Sequence, residues 1–276
     1  MRLTVHHENR FEFEGEVTES VMDVRLGPFE DAHQRVQRFQ LRWEPPGHVR
    51  RYEDGFGNVG HLLTTMRTHS TLQLSTDIEV ETLLHDPFQQ PVEAPRPLGP
   101  VERADSLNPS ALVPALDSLS EMAEPFGLLE PFDAARQMMA MIYEQFEYQP
   151  GVTDVTTSVA HVFQGRQGVC QDFAHLLIGL CRAIRLPARY VSGYILTGDH
   201  NDEPSRGSGA SHAWAEVFTP THGWRGFDPT NNLVANDRYV KIALGRDYHD
   251  VPPTRGTYQG AVVGKLEVAV STRHAH

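Results

Sequence analysis

Cysteine is nearly missing from this 276-residue chain: there are two, Cys170 and Cys181. Two cysteines make no disulfide framework. Eleven residues apart on what reads as one helix, at ~1.5 Å rise per residue, they would stand ~16 Å apart, beyond the ~7 Å Cα limit for a bridge. No CxxC pair and no HExxH occurs, so a zinc site is not expected. No EF-hand-type loop is present, so calcium is not indicated. No apolar run approaches the ~20 residues of a membrane helix. The opening MRLTVHHENRFEFEGEV lacks the apolar core of a secretory signal, which makes a cytoplasmic location the expectation. Basic residues are outnumbered, 24 against 36 acidic, for a net charge of −12. That speaks against nucleic acid or an anionic membrane as partner.

The first 85 residues carry alternating apolar positions. Leu3 and Val5, Phe11 and Phe13, Leu41 and Trp43, Leu72 and Leu74, then Ile78 and Val80 are broken by Gly27-Pro28, Pro45-Pro46-Gly47 and Asp54-Gly55. This spacing predicts an antiparallel sandwich or barrel. Gly55, Gly57 and Gly60 spell GxGxxG, but charged residues precede them and a Thr-rich, strand-like stretch follows. A hairpin turn fits better than a dinucleotide site. Residues 86 to about 110 are proline-rich and read as a semi-rigid connector. Asp133 is then the expected N-cap of a helix with Ala135, Met138, Met139, Ile142, Tyr143 and Phe146 on one face.

The stretch GRQGVCQDFAHLLIGLCRAI, residues 165–184, is a tight loop feeding a helix. Phe173, Leu176, Leu177, Leu180, Cys181 and Ile184 form its apolar stripe. Cys170 falls at the junction. There, unsatisfied N–H groups and the positive end of the helix dipole favour a thiolate. On position alone Cys170 reads equally as a reactive thiol or a small core residue. Residues 188–195 read as a buried strand, and 197–210 as a polar surface loop that is either a lid or simply solvated. Two more strands, 213–218 and 224–228, read as a hairpin. A turn near 220–221 gives paired residues an index sum of 440 to 442. At an even sum His212 and Asp228 share a face, directly opposed at 440 and diagonal at 442, whereas an odd sum would put them on opposite faces. An imidazole beside a carboxylate is fixed in one tautomer and gains basicity. Placed against Cys170, the pair would complete a nucleophile, a base and an orienting acid. The plainer alternatives are a satisfied sheet histidine and an Asp-Pro turn former.

The blocks GVCQDFAHLLIGLCRAIRLPARYVSGY, SHAWAEVF and GWRGFDPTNN resemble the transglutaminase-like superfamily, specifically the bacterial transglutaminase-like cysteine proteases. Arg25-Leu26, Asp54 to Asn58 and His69 look like the β-rich N-terminal domain of these proteins, and Gly245 to Tyr248 with Asp250 to Pro253 like their C-terminal segment. The resemblance implies an α+β fold: a papain-like transglutaminase core, with the Cys helix packed on an antiparallel sheet, preceded by an all-β, sandwich-like N-terminal domain. The expected boundaries are 1–90 for that domain, 91–108 for the linker and 109–276 for the catalytic core with a C-terminal strand. The family's triad carries over as Cys170, His212 and Asp228. The implied chemistry is acyl transfer on amides through a thioester, with hydrolysis of a peptide, isopeptide or related amide preferred and transamidation to an amine the alternative. The Cys170 N–H would hold part of the oxyanion, and Gln164 or Tyr148 is the candidate second donor. Gln164 is chosen only by analogy with papain-like spacing, and the plainer alternatives are a loop glutamine and a core tyrosine. The expected partner is a peptide or protein amide, with no cofactor and no metal. A rival is a catalytically silent binding module that keeps the fold. The oligomeric state is not legible.

Overall fold

The structure, a computed structural model, describes residues 1–196 and 211–275. The polar 197–210 segment lies outside the described residues. The N-terminal third forms six strands, β1 (Arg2–Val17), β2 (Glu19–Val24), β3 (Gln34–Glu44), β4 (His48–Glu53), β5 (Val59–Thr65) and β6 (His69–Thr82). Helices follow: α1 (Pro100–Leu107), α2 (Asp117–Ala123) and α3 (Pro131–Gln145). After β7 (Glu147–Tyr148) come α4 (Val159–Gly165), β8 (Gln167–Gly168) and α5 (Cys170–Ala183). The chain continues through β9 (Ala188–Ile195), β10 (His212–Thr219), β11 (Gly223–Asp228), β12 (Leu233–Val234) and β13 (Tyr239–Gly245), and ends in β14 (Thr254–Gln259) and β15 (Gly264–His274).

Two four-stranded antiparallel sheets, β15-β1-β6-β3 and β14-β2-β5-β4, enclose Met22, Val24, Leu26 and Leu63 from one side and Leu72 and Leu74 from the other. The alternation of apolar residues along β1 and β6 predicts this arrangement. Both strands are long, 16 and 14 residues, and their far ends do a second job. Leu3, Val5, Ile78 and Val80 join the main core formed around α5. The GxGxxG stretch covers the connection between β4 and β5, an antiparallel pair, with its last glycine, Gly60, already in β5 opposite Tyr52. At Gly57 the backbone is left-handed, and a Cβ on Gly60 would strike the Tyr52 ring.

Three expectations need correction. The segment 91–108 is not all connector, because α1 forms within it with Pro100 in its first turn, a position that suits the fixed φ of proline. Helix α3 begins before Asp133: Pro131 opens it, and the Glu130 carboxylate accepts the Phe132 N–H at 2.9 Å. The division at 90 and 108 also misses where the chain ends. β14 pairs with β2 and β15 with β1, so the last two strands belong to the N-terminal sheets. Each satisfies an otherwise open strand edge.

The second half is built on the antiparallel sheet β12-β11-β10-β9-β13. Helix α5 packs on β10 and is flanked by α2, α3 and α4. Every residue from Gln171 to Arg182 is buried, so the apolar stripe seen in the sequence is only part of a helix enclosed all round. Its last turn is tied down by Arg182, which donates to the carbonyls of Ser106, Ala188 and Arg246.

Strand β13 is the edge of this sheet, and two amide side chains cover its open backbone. Asn58 donates to the Leu244 carbonyl at 2.7 Å and accepts the Leu244 N–H at 2.7 Å. Gln34 does the same for Lys241, at 2.7 and 2.8 Å. Each amide mimics one residue of a missing strand, and together they lock the N-terminal sheets to the core. Replacing Asn58 by Ala strands a buried N–H and a buried C=O. With about 1–3 kcal/mol per orphaned group, the two together predict a loss of about 2–6 kcal/mol in chemical denaturation. A loss below about 0.5 kcal/mol would show that the amide does not hold the edge.

Candidate active site

Cys170 is the first residue of α5, His212 the first of β10 and Asp228 the last of β11. All three lie at element ends, where regular structure on one side fixes the position of the side chain. The β10–β11 register pairs Ala215 with Phe227 and Glu216 with Gly226, an index sum of 442. His212 and Asp228 are thus diagonal neighbours, one of the two registers expected from the sequence. Their side chains meet directly: His212 Nε2 donates to Asp228 Oδ2 at 2.8 Å, and both side chains are fully buried.

Asp228 is heavily supported. Oδ2 also accepts from Asn231 Nδ2 and from the Tyr239 hydroxyl, each at 2.8 Å. Oδ1 accepts the N–H groups of Thr230 and Asn231. Burial alone would favour the neutral acid, but the facing imidazolium and these donors hold the carboxyl below its usual range. Asp228 is thus a turn former and a partner of the histidine at once: one oxygen shapes the turn at Pro229 and the other faces the imidazole.

For His212, burial opposes the charge, while the Asp228 carboxylate and the Cys170 side chain favour it. The favourable interactions win, and its pKa is raised to about 10. With Nε2 committed to Asp228, Nδ1 is buried without an aligned hydrogen bond. Cys170 is the other side chain that acts on this ring as hydrogen-bonding and charge partner. A loosely aligned contact is usual before substrate binds. Trp214 stacks near the imidazole, ring centroids 6.2 Å apart at 27°. Gly193 pairs with His212 across the sheet. A Cβ there would come within 2.6 Å of the Trp214 ring and 2.1 Å of the Val240 carbonyl, so only glycine leaves room for this indole.

The two cysteines are sharply different. Cys170 is half-buried, at the head of its helix. Cys181 is fully buried, and burial pushes its thiol pKa up, so it is the inert one. Of the candidate oxyanion donors, Tyr148 lies beside the Cys170 turn: it pairs with Gly168 in the short β7–β8 ladder and sets its ring edge against Phe173. Gln164 is on the exposed side of α4, and no hydrogen bond ties it to Cys170. Among the described residues no cluster of three or more His, Cys, Asp or Glu side chains could hold a metal ion.

Tyr239, Trp214 and Asn231 were not singled out from the sequence. Asn231 and Trp214 sit inside blocks already noted for their motif, so a signal existed. Tyr239 has none, since it reaches Asp228 from another strand.

The transglutaminase-like superfamily model matches residues 120–229, and the bacterial transglutaminase-like N-terminal region matches residues 3–81. An uncharacterized protein of Mycobacterium tuberculosis is 35% identical over 290 residues, covering 98% of this chain and 91% of that protein. The crystal structure of a "putative cysteine protease" from Cytophaga hutchinsonii superposes with a TM-score of 0.78 at 26% identity, covering all of this chain and 92% of that one. A protein-glutamine gamma-glutamyltransferase of Pseudomonas aeruginosa is 30% identical over 163 residues, 55% of this chain and 24% of that protein.

The charge balance has a testable sign. The His212 pKa is raised, so its contribution to stability is full below the unfolded value of ~6.5 and fades as pH climbs toward about 10. The Asp228 pKa is depressed, so its contribution is present above ~3.9 and is lost on acidification. An NMR titration should find the His212 ring protonated at pH 7.5. In Asp228→Asn, burial is left unopposed by a carboxylate, and the same ring should titrate below 6.5. A wild-type ring neutral at pH 7.5 would mean that Asp228 does not hold the imidazole charged.

Proposed function

The chain belongs to the transglutaminase-like superfamily, and on that footing we propose that it is a thiol-dependent acyl-transfer enzyme in which Cys170 is the nucleophile, His212 the acid–base and Asp228 the orienting acid. The observation that carries this reading is the fully buried His212–Asp228 pair set against a half-buried cysteine at a helix start. A structural cysteine has no need of a charged imidazole bound to a carboxylate that four further donors support.

The mechanism follows from the charges. The Cys170 sulfur, as thiolate beside the His212 imidazolium, adds to an amide carbonyl, and the π pair moves onto oxygen. His212 gives its proton to the departing amine as the C–N bond breaks, which leaves a thioester on Cys170. Neutral His212 then takes a proton from the incoming water, which attacks the thioester and returns the thiolate and a free acid. Asp228 keeps the ring in one orientation and stays ionised throughout. The Cys170 N–H is one oxyanion donor, and Tyr148 is the better placed of the two candidates for the second. Gln164, exposed on α4, would need the approach of a substrate to be drawn in.

Hydrolysis of a peptide, isopeptide or related amide is the preferred outcome, since water is the acceptor always at hand. Transamidation uses the same first half-reaction with an amine in place of water, and the Pseudomonas relative's name keeps that outcome in view. The decisive comparison incubates wild type and Cys170→Ala with a peptide library and a primary amine, followed by mass spectrometry. Cleavage or deamidation by wild type alone supports hydrolysis. Amine incorporation by wild type alone replaces it with transamidation. Identical product spectra from the two proteins refute any enzymatic reading and favour the silent binding module.

A further inference from the structure

The residue two places after the nucleophile has no role in the mechanism above, yet it is a second buried, hydrogen-bonded carboxylate at the site. Asp172 is buried, 1% exposed. Its Oδ2 accepts the Val169 N–H at 2.8 Å and the Thr153 hydroxyl at 2.6 Å. Its Oδ1 is buried with no partner. Gly168 leaves it room: a Cβ there would lie 2.8 Å from Asp172 Cβ and Oδ2.

These contacts act on two consecutive peptide groups. In the first, Gly168–Val169, the carbonyl accepts the Gln149 N–H at 2.9 Å and the N–H goes to Asp172. In the second, Val169–Cys170, the carbonyl accepts the Phe173 N–H at 3.1 Å. A trans peptide is planar, with N–H antiparallel to C=O. With the Val169 carbonyl aimed down the helix, the Cys170 N–H must point out of its N-terminus, and as the first helical donor it has no intrahelical acceptor. The peptide before it is held by Asp172, which fixes the rotation about Val169 that sets this aim.

We propose that Asp172 is a positioning residue for acyl transfer: through Val169 and Thr153 it aims the Cys170 N–H at the oxygen of the reacting acyl group. Burial raises the Asp172 pKa, while the Thr153 and Val169 bonds pull it back. Retaining a carboxyl with one unpaired buried oxygen costs stability, as expected for a group kept for its aim. The proposal rests on the acyl-transfer reading, so its test separates the two.

Two reagents report on different needs. With p-nitrophenyl acetate the thiolate adds to the carbonyl, the π pair makes an oxyanion, and collapse expels p-nitrophenolate to leave acetyl-Cys170. With iodoacetamide the thiolate displaces iodide at carbon, and no oxyanion forms. The ratio of acylation to alkylation rates therefore measures oxyanion support, with Cys170→Ala as background. Losing an oxyanion donor outright costs ~10²–10³ in rate, so a misaimed one in Asp172→Ala should slow acylation about tenfold or more and leave alkylation within about twofold. Asp172→Asn, which keeps one acceptor oxygen, should recover part of the loss. Thr153→Val removes only the hydroxyl and should lower the ratio about threefold; it carries the same comparison should Asp172→Ala not fold. An unchanged ratio in the folded variants, with both rates falling together or neither falling, overturns the positioning role. A wild-type Cys170 inert to both reagents overturns the acyl-transfer reading itself.

Discussion

The hydrogen bond between His212 and Asp228 is the contact on which the site depends. Both side chains are out of reach of water, where an isolated charge is costly and a lone partner is worse: removing one member of such a pair costs about 3–5 kcal/mol. The neighbours of Asp228 make the arrangement tolerable. Thr230, Asn231 and Tyr239 supply its remaining donors, so the carboxylate stays ionised and the imidazole beside it stays charged. That leaves one ring nitrogen and one nearby thiol with unfinished chemistry.

Much of the remaining architecture keeps that contact in place. Glycine at position 193 admits the Trp214 indole beneath the imidazole. Helix α5 is enclosed on all sides, with Arg182 gripping backbone carbonyls at one end and Asp172 fixing the loop at the other. The N-terminal sheets contribute through Asn58 and Gln34, whose amides finish the open edge of the strand that carries Tyr239. A side chain more than 180 residues away in sequence thereby helps to hold a residue that touches Asp228.

Local pattern made a good part of this legible. The α5 stripe, the strand at 188–195 and the hairpin register follow from periodicity and turn position, because each depends on neighbours in sequence. Their junctions pointed to Cys170, His212 and Asp228 before any geometry was known, and the motif blocks named the family. Long-range pairing was out of reach. Nothing near Leu266 or Val268 says that β15 will lie beside β1, and nothing near Tyr239 says that its hydroxyl will find Asp228. The start of α3 was missed because Asp133 is a fair cap, while Pro131 is a better first helical residue. Asp172 stood in plain view within the motif, but a carboxylate in the first turn of a helix reads as ordinary capping until its partners are seen.

The most direct test of the account is the alkylation rate of Cys170 by iodoacetamide at pH 7, in wild type and in His212→Ala. A thiol paired with a charged imidazole should react at least about tenfold faster than free cysteine, which is only a few per cent thiolate at that pH. It should fall to the free-cysteine rate or below once the ring is gone. Equal rates in the two proteins would mean that His212 does not activate Cys170, and the mechanism built on their partnership would be wrong.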